Sequence, residues 1–374
     1  MAKAGFIKWQ ALAALCLAWA AVCQAAEPAP GDAHWGRMPR LYGRITANEL
    51  GVVINTADPY SVAIGEYYVR RRGIAPAQVV RVQLPQRASL TREEFAALDQ
   101  AIRSQMPESV NGLALAWVQP YAVECNSLTS ALGMGLQPDV CAQSCAPTRA
   151  SPYASYFGAR PWIVLGLRPA MQLAARSVPA AMAMIERGIA SDHTLAAGAA
   201  EPAMAWLAAT PDANRNVRER LFPPAGAVPG VTGFDVGRVK SDALPQLRRT
   251  LVYETGLARV PAPLAHEWLP GALADHLTSF GGQLERPTGE GQMNILDWID
   301  AGATASYGTV SEPCNHLQKF PHPQVLIQAY AQGVSALEAY WHSVAWPAQG
   351  VFVGEPLAAP FAPVPPPAAS AAAP

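Results

Sequence analysis

Charge is scarce in this chain of 374 residues: Asp, Glu, Lys and Arg together make up 15%, and the formal net charge is -1. A chain so close to neutral has no field that gathers phosphate backbones, and its densest basic run, Arg70-Arg71-Arg72, closes a predicted helix. Nucleic acid is therefore not an expected partner. The stock catalytic signatures are missing as well: the sequence holds no GxSxG elbow, HExxH pair, P-loop or GxGxxG turn. No cofactor is expected, and no metal is assigned. Past the N-terminus, no apolar run is long enough to span a bilayer.

What is present is apolar material for a large core, at 51% of residues, enough to set aside global disorder. Residues 1–26 have the three parts of a secretory signal: Lys3 and Lys8, an apolar run from Ala11 to Val22, and small residues around Cys23-Gln24-Ala25. Cleavage after Ala25 or Ala26 is expected to release a periplasmic or extracellular protein with no membrane span. It removes Cys16 and Cys23 and leaves Cys125, Cys141, Cys145 and Cys314. In an oxidising compartment an even set reads as disulfides, with three pairings open. The competing reading is a metal site built on Cys141 and Cys145 with Cys125 or His316, although the tight paired spacing of zinc ribbons is absent.

From residue 27 to 359 the pattern is that of one α/β domain. The short apolar runs Glu49–Asn55, Gln78–Leu84 and Asn111–Val118 read as buried strands, with helices predicted over Ser61–Arg72 and from Ser89 or Thr91 to about Met106. Strand, helix, strand, helix, strand predicts a mainly parallel three-layer sheet, whose ligands collect at strand carboxyl ends. The loop after the third strand carries Tyr121, Glu124 and Asn126, which are candidate binding residues or simply caps of loop amides. A loop-rich insertion, about 126–230, is expected to be pinned by a disulfide. Within it Ile163–Leu167 reads as a strand, Pro179–Gly188 as a helix, and Arg215–Arg220 as a solvated helix face or an anion site. Val231–Val236, Leu251–Glu254 and Gly350–Gly354 read as strands and Pro323–Val344 as one long helix. Residues 360–374, rich in Pro and Ala, read as a disordered tail.

The densest set of reactive side chains lies in residues 271–316. Trp268–Leu277 is predicted to be a strand delivering Asp275 and His276 to a Gly281-Gly282 turn, whose glycines would let a ligand approach closely. A helix over Gln292–Ala301 and a strand over Gly302–Val310 follow, ending in Ser311-Glu312-Pro313-Cys314-Asn315-His316. Ser279 as nucleophile, His276 as base and Glu312 as orienting carboxylate make one candidate constellation. Asp275 is the less suitable third member, because adjacent strand residues point to opposite faces. Cys314 with His276 or His316 is the thiol version, and Asn315 and His316 are further candidate binding residues. The competing reading is structural: His276 and Ser279 hydrogen-bond the loop, and Cys314 is disulfide-bonded.

The series NELGVVINTADPYSVAIGEYYVRRRGI (48–74), QPYAVECNSLTSALGMG (119–135), GALADHLTSFGG (271–282), GATASYGTVSEPCNH (302–316), FPHP (320–323) and VFVGEPLAAPF (351–361) resembles a family of exported bacterial proteins. Its members occur in genomes that carry the exosortase protein-sorting system, and the family has no established activity. The closing half of the chain is also similar, more distantly, to caspase-like cysteine peptidases of the gingipain type. That likeness implies a caspase-like sheet, with a catalytic Cys at the end of one strand and a His-Gly at the end of the one before. Here the Cys position falls near Ser279 or Phe280, and the third strand ends in Gln119-Pro120-Tyr121.

Two functions are consistent with these residues. One is a hydrolase or peptidase-like enzyme, which requires Ser279, His276 and Glu312 to converge. The other is a non-catalytic envelope protein that binds a surface polypeptide or polysaccharide in a cleft lined by Tyr121, Trp268 and Tyr307.

Overall fold

A computed structural model of the chain describes residues 34–241, 246–261, 266–286 and 291–364. The signal expected over 1–26 lies outside these residues, as does 365–374 of the expected tail.

The first strand, β1 (Leu50–Asn55), is buried along its whole length. Asp58 then starts α1 (Pro59–Arg72) by accepting from the Tyr60 amide at 2.9 Å, with Pro59 in the first turn, where a missing N–H leaves nothing unpaired. Gly73 ends the helix at φ 66°, in the left-handed region. After β2 (Val79–Val82) and the short β3 (Ser89–Leu90), a Thr91–Glu94 capping box opens α2 (Arg92–Gln105). The chain continues through β4 (Gly112–Leu115), the two-residue β5 (Ala122–Val123) and β6 (Asn126–Ser127), and α3 (Leu128–Met134). Next come α4 (Pro161–Leu165), β7 (Ala170–Gln172), α5 (Val178–Ser191), β8 (Ala203–Ala209), β9 (Gly226–Ala227) and β10 (Phe234–Lys240). The last part holds β11 (Thr250–Thr255), β12 (Trp268–His276), α6 (Leu296–Ala301), β13 (Ala305–Thr309), α7 (Pro323–Ala331), α8 (Ala336–Ser343) and β14 (Gly350–Gly354).

Eleven strands form one sheet in the order β2-β1-β4-β7-β14-β13-β12-β11-β8-β10-β9. The pairings are parallel except β13–β14 and the edge pair β9–β10. The sheet is thus mainly parallel but made of two blocks of opposite direction. One block is β2, β1, β4, β7 and β14; the other is β13, β12, β11, β8 and β10. Alternate residues of each strand feed the two faces. Val52 and Ile54 pack with Ile64 of α1, Met184 of α5 and Leu337 of α8. Val53 packs with Phe95 of α2 and Leu128 of α3. Tyr253 and Ala274 meet Trp298 of α6. Helices on both faces make the three-layer α/β fold expected from the element order.

Several local expectations change. Ile163–Leu167 is not a strand: Pro161 starts a one-turn helix there, which Gly166 stops at φ 65°. The helix expected from Gln292 begins only at Leu296. Pro323–Val344 is two helices, because Gly333 turns at φ 88° and Ser335 with Glu338 forms a new capping box. The stretch expected as an insertion supplies β7 and β8, both interior strands of the sheet. Its loop-rich, disulfide-bearing part is confined to about 135–160. At the C-terminus, Phe361 and Ala362 are buried, and the Pro360 carbonyl accepts from the Leu195 amide at 2.9 Å. Among the described residues, no helix is long and apolar enough to cross a membrane.

Candidate functional site

β11, β12 and β13 end together, with Thr255 opposite His276 and Asp275 opposite Tyr307. As the alternation of a strand requires, Asp275 and His276 face different layers.

His276 faces α6. Its Nδ1 accepts from the indole N–H of Trp298 at 3.0 Å, which leaves the ring proton on Nε2, donated to the Met293 carbonyl at 2.9 Å. Both ring nitrogens are therefore committed. The ring is 1% exposed, and burial lowers its pKa from 6.5 to about 4. This is a neutral structural imidazole. The Ser279 hydroxyl has no hydrogen-bond partner among the described residues, and the carbonyls of Thr278 and Ser279 both accept from Thr309 Oγ1. The expected Ser279–His276–Glu312 constellation does not form, since no lone pair of His276 is left to take a proton. Glu312 instead closes its own loop: Oε1 accepts from the Cys314 amide at 2.8 Å, and its carbonyl accepts from Gln349 Nε2 at 2.6 Å.

Asp275 faces the opposite layer, where Arg218 donates to it at 2.6 Å. Glu254 stands beside it in register, 4.0 Å from the same guanidinium. All three side chains are at most 1% exposed. Burial raises the pKa of both carboxyls, and Glu254, raised further by the adjacent Asp275, lies well above its ordinary range. Arg218 also donates to the Thr255 carbonyl at 2.8 Å and keeps its charge because the two carboxyls outweigh the burial that disfavours it. Of the two readings open for Arg215–Arg220, the solvated face fails at Arg218. A carboxylate ending the apolar run Leu251–Glu254 was the available signal for this cluster.

The glycine turn serves the fold. A side chain on Gly282 would meet the Gly308 carbonyl oxygen at 2.7 Å, and one on Gly308 would meet the Gly281 backbone at 2.7 Å. The close approach expected of a ligand is made by β13 itself.

The four cysteines among the described residues are all paired: Cys125 with Cys141 and Cys145 with Cys314. This removes both the thiol nucleophile at Cys314 and the metal reading. Among the described residues, no group of three or more His, Cys, Asp or Glu side chains is placed to hold a metal ion.

The remaining candidates scatter. The two-block sheet directs β4 oppositely to β12 and β13, so the loop after β4 does not start at their carboxyl edge. Glu124, exposed and at φ 52°, pairs with Arg92 at 2.8 Å. Asn126 is buried against Gln137, accepting from its amide at 3.1 Å and donating to its carbonyl at 3.2 Å. Tyr121 is buried, and burial followed by Glu285 raises its pKa. Tyr307 is a core residue, and Trp268 packs edge-on against Trp298, so neither forms a cleft wall with Tyr121. His316 lies 5.9 Å from the Trp346 ring.

At the common end of β8, β12 and β13 there is a polar cleft of about 340 Å³, lined by Asn214, Arg215, Thr278, Ser279, Cys314 and Asn315. Arg215 is neutralised by Asp212 at 2.6 Å, yet its Nε is buried without an acceptor, as is Thr278 Oγ1. Nearby Lys319 is buried, donates to the Ser144 carbonyl at 2.5 Å, and has its pKa lowered by burial to about 8. The cleft offers hydrogen-bond donors and a hydroxyl, with no free histidine beside them among the described residues. No protein-family model matches the chain, and no curated protein matches it.

Proposed function

We propose that this chain is an exported envelope protein that binds a polypeptide without cleaving it, in the cleft at the ends of β8, β12 and β13. The observation that carries this reading is the double commitment of His276 to Trp298 and Met293 beside an unpartnered Ser279 hydroxyl. Acyl transfer needs a base within reach of the nucleophile. The half-buried Ser279 hydroxyl and the polar side chains of Asn214 and Asn315 that line the cleft suit the backbone of an extended guest. The resemblance to exported proteins of exosortase-bearing genomes supports a sorted surface polypeptide as that guest, and two disulfides fit the oxidising side of the envelope. The caspase-like resemblance is then that of a non-catalytic relative.

The test is labelling of the purified, disulfide-intact protein with a broad fluorophosphonate and with iodoacetamide. No labelling of Ser279 is expected. Covalent labelling that His276→Ala abolishes would establish the hydrolase alternative and end this reading. Crosslinking from the cleft, through a photoreactive residue at Asn315, should capture envelope polypeptides, and Ser279→Trp should reduce that capture.

A further inference from the structure

A second surface, remote in sequence from the strand-end cleft, has its own chemistry. Residues 34–41 run as an extended arm along α7 and are held there by Gln324, Gln328 and Gln332, spaced four apart on one helix face. Gln324 Oε1 accepts from the Gly36 amide at 2.6 Å and Gln332 Oε1 from the Leu41 amide at 2.8 Å. The amide nitrogens of the glutamines donate to the carbonyls of His34, Gly36 and Pro39. The arm forms one wall of a groove of about 810 Å³ whose lining includes Trp35, Arg37, Arg40 and Arg44 and no Asp or Glu.

Those arginines differ from the ion-paired ones on the surface; Arg70 and Arg160 are also exposed without an ion pair among the described residues, but they do not line this groove. Arg71, Arg81, Arg92 and Arg103 each meet a carboxylate at 2.8 Å or less. Arg37, Arg40 and Arg44 have none within ion-pair distance among the described residues. Arg37 and Arg40 are exposed, and the guanidinium of Arg40 lies 5.9 Å from the centre of the Tyr42 ring, itself 66% exposed. In a chain of net charge -1, this is a local excess of positive charge.

We infer that this groove binds a linear polysaccharide carrying repeated carboxylates. Along the extended arm Arg37 and Arg40 stand about 10 Å apart, so the cations are spread along the groove and not gathered round one small anion. Guanidinium forks match carboxylates two bonds at a time. An acidic peptide is the weaker fit. Strand addition needs a free backbone edge, and the arm's amides at Gly36 and Leu41 and carbonyls at His34, Gly36 and Pro39 are already taken by the glutamines. The groove presents cationic forks and the ring of Trp35, which suits a sugar ring with an acid on it.

The test is calorimetric titration of the full chain with polygalacturonate at low and high salt, beside polyglutamate and neutral dextran. Polygalacturonate should bind, and binding should weaken as salt rises. The double variant Arg37→Ala/Arg40→Ala should bind ~10-fold or more weaker, the loss of about one charged hydrogen bond. Trp35→Phe should bind nearly as wild type and Trp35→Ala more weakly, while Arg70→Ala, exposed and outside the groove, should change nothing. Thermal melting checks that each variant folds. The inference is overturned if polyglutamate or dextran binds as tightly as polygalacturonate, or if the double arginine variant binds like wild type. The strand-end cleft shares no residue with this groove, so failure here leaves the proposed function standing.

Discussion

Glu254 and Asp275 stand side by side across the β11–β12 pair, and one guanidinium serves them unequally: Arg218 donates to Asp275 at 2.6 Å and lies 4.0 Å from Glu254. One positive charge thus meets two carboxyls in a site closed to water, and the pair keeps a proton that two isolated carboxyls would lose.

Arg218→Ala should therefore be strongly destabilising. Removing one partner of a buried ion pair typically costs about 3–5 kcal/mol, because the other charge is left unpaired. Urea unfolding should show the loss as a fall in midpoint at unchanged slope. Replacing Arg218, Glu254 and Asp275 together by apolar residues should recover much of it. A single variant as stable as wild type would remove the cluster from the fold's energetics.

The same cluster sets a pH dependence. Burial raises both carboxyls in the folded state, Glu254 well above 4.5. The native state then holds a proton that the unfolded chain releases, so its stabilisation is full below about 4.5 and is lost as pH rises above it. Glu254→Gln cannot titrate. Subtracting its stability profile from that of wild type should leave a curve that declines with rising pH, and a flat difference would refute the shared proton.

His276 works in the other direction. Its folded-state pKa, lowered by burial from 6.5 to about 4, means that the unfolded chain binds the proton first as pH falls. Stability contributed by the neutral ring is present above 6.5 and lost toward 4, by about 3 kcal/mol for a shift of this size. His342, also lowered to about 4 by burial, adds to the same acid-side loss. Acid unfolding of His276→Gln should begin from a less stable protein and show a shallower slope between these limits.

The disulfides should differ in weight. Cys145–Cys314 spans 169 residues and Cys125–Cys141 spans 16. On the chain-entropy account, removing the long-range bridge costs about 5 kcal/mol and the short one about 3 kcal/mol. Paired Cys→Ser variants followed by urea unfolding would rank them. An equal loss would place the effect of the long bridge in the native loops rather than in the unfolded chain.

Gly282 should not accept alanine. A methyl there meets both the Gly308 carbonyl oxygen and Val351 Cγ1 at 2.7 Å, and overpacking of this kind costs about 1–3 kcal/mol. Thermal melting of Gly282→Ala measures it directly.

Much of the fold could be read from the pattern of residues, because the signals involved are local. β1, β4 and β14 are uninterrupted apolar runs, α1 and α2 have their caps in place, and the even cysteine set announced two bridges. The break between α7 and α8 was also local, in Gly333 and the Ser335–Glu338 box, but the continuous apolar stripe hid it. The site was less legible. His276 and Ser279 are recognisable as reactive types, whereas the partners of His276, Trp298 and Met293, come from a segment whose docking nothing in the chain order reveals.

Composition and periodicity by themselves determined the class of the protein: a weakly charged α/β chain with a large core, buried parallel strands and paired cysteines. Tertiary structure alone decided that the sheet has two opposed blocks, with β4 running oppositely to β12 and β13, and that the loop after β4 nevertheless meets the end of β13, where the Cys125 carbonyl accepts from Ser311 Oγ at 2.7 Å. It also decided that Arg218 is buried against Asp275 and that both nitrogens of His276 are occupied. The physical reason is the same in each case. Strand direction, ion pairing and ring protonation depend on which distant segments meet, and a residue's type carries only its capacity for those contacts.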